Sequence, residues 1–173
     1  MSLRVTIGID PGLTGALAAL IDGEPGPMLD MPTMRVDGKN EVDSDALVRW
    51  IRELRAAHPG AYVSACLEQV SAAPMGGRRQ GTGSMFAFGD GYGQIKAALR
   101  ILGIPVTRVA PAVWKRHFRI PGKSKDADAG RQVAIARFPQ AADRLRRKKD
   151  SGRCDALWLA LWLEQTEMGA AAA

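Results

Sequence analysis

Val5 to Ile9 is an apolar run that stops on Asp10 and Pro11-Gly12, the pattern of a buried strand ending in a tight turn. Residues 3–10 are predicted as a first strand and 15–21 as a second, joined by that glycine-rich turn. A third strand is expected over 28–36, with Pro25, Pro27 and Pro32 marking its limits or an edge position. Asp43 or Ser44 can cap a helix in which Leu47, Trp50, Ile51 and Leu54 recur at helical spacing, and Pro59-Gly60 ends it. Tyr62 to Glu68 reads as the fourth strand, and the glycine-rich 71–84 as a loop. A helix is predicted from Ser84 or Met85 to Leu102, weakened in its first half by Gly89, Gly91 and Gly93. Ile104 to Val109 follows as the fifth strand, then helices over 111–118, 124–138 and 151–165. Three adjacent strands followed by strands separated by helices predict an α/β fold: a five-stranded mixed sheet, three strands antiparallel and two arriving by helical crossovers, flanked by helices.

With 173 residues the chain has enough material for one domain, expected over 1–168, and too little for two ordinary ones. Gly169 to Ala173 reads as a disordered tail. No apolar stretch approaches the roughly 18 to 20 residues of a membrane span. Residues 1–10 lack the charged start and long apolar centre of a signal peptide, so a cytoplasmic protein without membrane contact is expected. Cys66 and Cys154 sit among apolar residues and are expected to be small buried hydrophobes. Together with His58 and His117 they lack the spacings of a zinc site.

The net charge of +6 is unevenly spread. Residues 115–149 hold 12 Lys and Arg against 3 acids, whereas 1–114 balance at 11 against 11. Such a concentration of positive charge points to a polyanionic partner.

Three acids stand where charge is costly. An ionised Asp10 at the end of a buried strand needs a cation or a donor partner. Strand alternation sets Thr6, Gly8 and Asp10 on one face and Tyr62, Ser64, Cys66 and Glu68 likewise on one face, each acid beside small or polar neighbours. In the last helix, Trp158, Leu159 and Trp162 share the face of Asp155 and should turn it towards the sheet. A helix N-terminal charge interaction accounts for Asp155 alone as well as metal binding does; Asp10 and Glu68 tip the balance to metal. Oxygen ligands favour Mg²⁺, with Mn²⁺ as a substitute, over zinc or copper. Clustered carboxylates holding two such ions about 3.5–4 Å apart can activate a water and stabilise the leaving oxygen of a phosphodiester.

Gly122-Lys123-Ser124 mimics the end of a phosphate-binding loop, but His117 stands where its first glycine belongs and no strand leads directly into it, so no nucleotide cofactor is expected.

Ile7-Gly8-Ile9-Asp10-Pro11-Gly12-Leu13-Thr14-Gly15, Leu67-Glu68-Gln69-Val70 and Asp155-Ala156-Leu157-Trp158-Leu159-Ala160 together closely resemble RuvC, the bacterial Holliday-junction resolvase family. The match runs in order over essentially the whole chain and includes Pro111-Ala112-Val113-Trp114-Lys115. The segments 84–93 and 148–153 look closer to the RuvC-like proteins of phages and prophages. The resemblance implies an RNase H-like fold and a Mg²⁺-dependent endonuclease that, as a homodimer, nicks two opposing strands of a four-way DNA junction. By position it makes Asp10, Glu68 and Asp155 metal ligands. The first turn is also similar to that of actin-like sugar kinases, but those need two such domains, for which this chain leaves no room.

Two departures stand out. The family's fourth acid lies three residues before the position of Asp155, where this chain has Gly152, and Asp150 is the expected substitute ligand. Five residues span about 500° of helix, so Asp150 must lie at or before the N-cap to join the others; its rival role is that cap itself. Ser71 stands where the family tends to place an aromatic that stacks on junction bases. A third reading therefore stays open beside nuclease and kinase, a module that binds branched DNA without cutting it. Lys115, Arg116, Lys123, Lys125 and Arg131 are candidate phosphate contacts, with Arg146, Arg147, Lys148 and Lys149 as a second basic run and Arg78 and Arg79 on the loop after Glu68.

Overall fold

A computed structural model describes residues 2–70, 81–120 and 129–171. Strand β1 (Arg4–Asp10) lies at the centre of a five-stranded sheet, antiparallel to β2 (Ala16–Ile21) and parallel to β6 (Tyr62–Glu68). Outside them lie β3 (Glu24–Asp30), antiparallel to β2, and β7 (Val106–Val109), parallel to β6, giving the order β3-β2-β1-β6-β7. This is the mixed topology expected from the sequence.

The predicted third strand, 28–36, is two strands. β3 begins at Glu24, straight after the two-residue turn Asp22-Gly23, whose φ angles of +47° and +84° suit a tight hairpin. Pro25 and Pro27 lie inside β3 and are tolerated because it is an edge strand. β4 (Thr33–Val36) leaves this sheet and pairs with β5 (Lys39–Val42) through a second such turn at Asp37-Gly38. The hairpin β4–β5 packs on helix α2 (Thr82–Ile101), where a Cβ on Gly91 would lie 2.9 Å from Val42.

Helices cover both faces. On one, α1 (Ser44–Ala57) and α2 bury Leu47, Ile51, Ile95 and Leu99 against Val5, Ile7, Ile9, Val63, Ala65 and Leu67. Asp43 caps α1 by accepting from the Ala46 N–H at 2.9 Å. On the other face, α3 (Pro111–His117), α4 (Ala129–Arg137), α5 (Ala142–Leu145) and α6 (Ser151–Ala171) enclose Ala16, Ala18, Leu20 and Cys66 with Trp114, Phe138, Leu145 and Trp158. Each fully buried Leu or Ile of these cores contributes about 1.5–3 kcal/mol.

Helix α6 lies directly on β1. A Cβ on Gly8 would collide with the Ala156 carbonyl and stand 2.6 Å from the Ala160 nitrogen. The helix runs past the Gln165 end expected from its apolar pattern and takes in part of the segment read as a tail, since alanine sustains a helix without packing. Both cysteines are buried and free. Among the described residues, no helix is long and apolar enough to cross a membrane.

Candidate active site

The parallel pairing sets Ile9 beside Leu67, so Asp10 and Glu68 leave adjacent central strands at the same end of the sheet. The turn after β1 closes through a 2.8 Å bond from the Gly15 N–H to the Gly12 carbonyl, and the Gly12 N–H points at Asp10 Oδ1 at 3.4 Å. The start of α6 is pressed on that turn. A Cβ on Gly152 would lie 2.8 Å from the Thr14 carbonyl oxygen and 2.9 Å from the Gly15 Cα, so only glycine fits there. Asp155, one helical turn further on, then faces the same end of the sheet.

Electrostatics ties the three acids together. Burial pushes the Glu68 carboxyl up to about 7, and the charges of Asp10 and Asp155 push in the same direction. Burial raises Asp155 to about 6; Lys115 opposes the rise and Asp10 adds to it. Asp10 is raised by burial too, with the Gly12 N–H and Lys115 pulling the other way. Lys115 thus acts on all three carboxylates.

Trp114, fully buried on α3, donates its indole N–H to Glu68 Oε1 at 3.0 Å, and the Lys115 ammonium sits 4.8 Å from the centre of the Trp114 ring. Tyr92 on α2 also lies in the field of Glu68: burial raises its phenol, Arg108 opposes this and Glu68 adds to it. The sequence reading gave no role to Trp114, Tyr92 or Arg108. The available signal for Trp114 was an aromatic directly before Lys115 on a helix whose other side chains are largely polar or small.

The donor set has the chemistry of a hard divalent ion, three carboxylates whose ionisation burial and mutual repulsion oppose and a cation would favour. They share a field and not yet a cage. Among the described residues, no three His, Cys, Asp or Glu side chains are gathered tightly enough to hold a metal ion between them.

Asp150 lies just ahead of α6, where a ligand role requires it, and its carboxylate is engaged by Arg147. It ends a 3-10 turn (148–150) ahead of α6, with its side chain 1% exposed. Burial works to raise it, but the bonds from Arg147 hold the carboxyl below its usual range. Arg147 gives Oδ1 its Nε at 3.0 Å and Nη2 at 2.8 Å, and its backbone N–H donates to Oδ2 at 2.8 Å.

Several basic residues also serve the protein itself. Arg131 donates to the carbonyls of Leu145 and Arg146, at 3.3 and 2.7 Å, and Arg144 to that of Gly26 at 2.7 Å. Arg116, Arg146, Lys148 and Lys149 are exposed, the last three just ahead of α6. Ser71, Arg78, Arg79, Lys123 and Lys125 lie outside the described residues.

Two solved structures share this architecture. Thermus thermophilus RuvC in complex with a Holliday junction substrate aligns with a TM-score of 0.56 at 15% identity, covering 91% of this chain and 91% of that one. A second structure of Thermus thermophilus RuvC aligns at 0.55 and 17% identity, covering 91% and 92%. The fold is that of RuvC. The RNase H-like arrangement implied by the three motifs is therefore the one the chain adopts. No protein-family model matches the sequence, and no curated protein matches it. At these identities the likeness to RuvC lies in the path of the backbone.

Proposed function

We propose that this protein is a structure-selective DNA endonuclease that cuts four-way junctions by divalent-metal-dependent phosphodiester hydrolysis, with a homodimer supplying two sites for paired nicks. The observation that carries the reading is the convergence of Asp10, Glu68 and Asp155, from β1, β6 and α6, in one buried field with Lys115. Asp10, Glu68 and Asp155 would hold Mg²⁺ or Mn²⁺, which when bound eases deprotonation of the attacking water and offsets charge on the phosphate. The residues themselves do the positioning. Trp114 holds one oxygen of Glu68, and Lys115 brings positive charge to where the scissile phosphate would lie. Exposed Arg116, Arg146, Lys148 and Lys149 would bind flanking phosphates without reading sequence. The RuvC fold, in a relative solved with its Holliday junction substrate, supports the choice of branched DNA.

The test is cleavage of a synthetic four-way junction in Mg²⁺ by wild type and Asp10→Asn. Wild type should release paired nicks, and Asp10→Asn should bind the junction but lose at least about two orders of magnitude in rate, the effect of removing several kcal/mol of charge stabilisation. Equal cleavage by the two proteins would refute the assignment.

One observation favours a second reading, a branched-DNA-binding module. Gly152 has no room for a side chain and Asp150 is held by Arg147, so the described site has three acids and no visible fourth. Junction binding indifferent to metal, with no nicking in Mg²⁺ or Mn²⁺, would select it.

A further inference from the structure

We infer that Trp114 is a positioning residue of the metal site, its indole N–H fixing one oxygen of Glu68 while its ring carries Lys115 beside the same acids. The inference rests on the nuclease reading above and adds to it a residue that neither ligates nor touches substrate.

Trp114 is 0% exposed, in the same core as Val109, Ile120, Phe138 and Trp158. An indole has one polar atom, which when buried usually finds an acceptor; the N–H of Trp158 in the same core has none among the described residues, whereas that of Trp114 does. Here the acceptor is Glu68 Oε1 at 3.0 Å, 46 residues away in sequence. The bond is charge-assisted when Glu68 is ionised, and such bonds are about twice as strong as neutral ones. It engages one carboxylate oxygen, Oε1, and not the other.

The backbone explains why the indole arrives there. Pro111 starts α3 directly after β7, the strand paired with β6, and the pairing extends to the 2.7 Å bond from the Gln69 N–H to the Val109 carbonyl. The helix therefore begins beside the end of β6, where Glu68 stands. Among its residues Trp114 alone is fully buried; Ala112, Val113, Arg116 and His117 are exposed. Lys115 follows directly, and its ammonium rests 4.8 Å from the ring centre. A single buried side chain thus sets both an acid of the site and the cation that offsets the acids, and metal-ligand partners of this kind typically change affinity or activity by about 10–100-fold when removed.

Trp114→Phe keeps an aromatic ring for the core and for Lys115 but removes the N–H together with the smaller ring of the indole. Mn²⁺ binding to the DNA-free variant, followed by calorimetry, should weaken by roughly 10-fold or more. The Mg²⁺ concentration for half-maximal cleavage should rise by a similar factor, with the rate recovered at saturating Mn²⁺. Melting in EDTA should fall with the lost ring volume while junction affinity in EDTA stays near wild type, a combination that global unfolding would not give. In a Glu68→Gln background the same change should add nothing to the loss of Mn²⁺ affinity. A Trp114→Phe protein that binds Mn²⁺ and responds to Mg²⁺ as wild type does overturns the inference. Wild type that neither binds Mn²⁺ nor cuts overturns instead the nuclease reading beneath it.

A second measurement needs no variant of Trp114. Its Nε1–H resonance in ¹⁵N-labelled protein should move on adding Mg²⁺ and again in Glu68→Gln. A resonance that moves in neither case also overturns the inference, so a Trp114→Phe that failed to fold would not shelter it.

Discussion

Gly152 and Gly15 meet backbone to backbone, with a Cβ on Gly152 falling 2.9 Å from the Gly15 Cα. This contact seats the N-terminus of α6 on the turn that follows Asp10 and so sets Asp155 beside it. It also gives the missing acid a physical reason, since any side chain at 152 must push the helix off the turn.

Gly152→Ala should therefore destabilise the protein by about 1–3 kcal/mol, the cost of overpacking a tight contact. For a domain of this size that is a drop of roughly 2–4 °C in melting temperature per kcal/mol. Gly152→Asp, which restores an acid at that sequence position, should melt lower still and cut no faster than wild type. Faster cleavage by Gly152→Asp would show that the turn yields.

The raised acids make stability depend on pH in a stated direction. Glu68 at about 7 and Asp155 at about 6 bind protons in the folded protein that the unfolded chain releases near its ordinary values. Their contribution is fully present below about 4.5 and is lost as pH rises through 6 to 7. In EDTA, Glu68→Gln should accordingly be more stable than wild type at pH 8, by on the order of 2–3 kcal/mol at most, and match it at pH 4. Mg²⁺ should raise the wild-type melting temperature more at pH 8 than at pH 5. Melts showing Glu68→Gln less stable at pH 8 would mean the carboxylate is already neutralised by the protein.

Asp150 follows the opposite sign. Burial raises its carboxyl, but the bonds from Arg147 outweigh it and hold the group low, so its contribution exists above the ordinary Asp value and disappears as pH falls through the depressed one. Asp150→Asn should cost about 1.5–3 kcal/mol near neutrality, the range for hydrogen bonds to a charged group, and the difference from wild type should shrink under strong acid. If Asp150 serves the turn ahead of α6 and not the ion, Mn²⁺ affinity should be unchanged in Asp150→Asn. A fall comparable to that of Asp155→Asn would return it to the ligand set.

Lys115→Ala tests the cation shared by the three acids. The cleavage rate should fall roughly 100-fold, the range for removing one group that stabilises developing charge. Mn²⁺ binding should hold or tighten, because a competing positive charge has gone. Loss of Mn²⁺ affinity in this variant would make Lys115 a structural support.

The site's frame was legible in the sequence because it sits at element ends that hydropathy marks well. Val5 to Ile9 and Val63 to Leu67 are buried on both faces, and alternation set Asp10 and Glu68 each on a face with small or polar neighbours, the side that α6 covers. The Trp158 and Leu159 stripe placed Asp155 there too. What escaped was set by turns and tertiary contacts. Asp22-Gly23 and Asp37-Gly38 are hairpin signals that the prolines of β3 obscured, since proline within a run argues against a strand unless its edge position is known. The grip of Arg147 on Asp150 and the bond from Trp114 to Glu68 depend on side-chain directions that spacing does not specify.

The absence of a side chain at Gly8 has an effect beyond packing. Ala156 and Ala160 of α6 rest on that bare stretch of β1, two residues before Asp10 and one residue after Asp155 along their respective elements. The gap between those two carboxylates is therefore gauged by a hydrogen atom in the middle of the core. A methyl group added there would act as a wedge, and its mark would be read in the ion affinity of the proposed metal site, which it never touches.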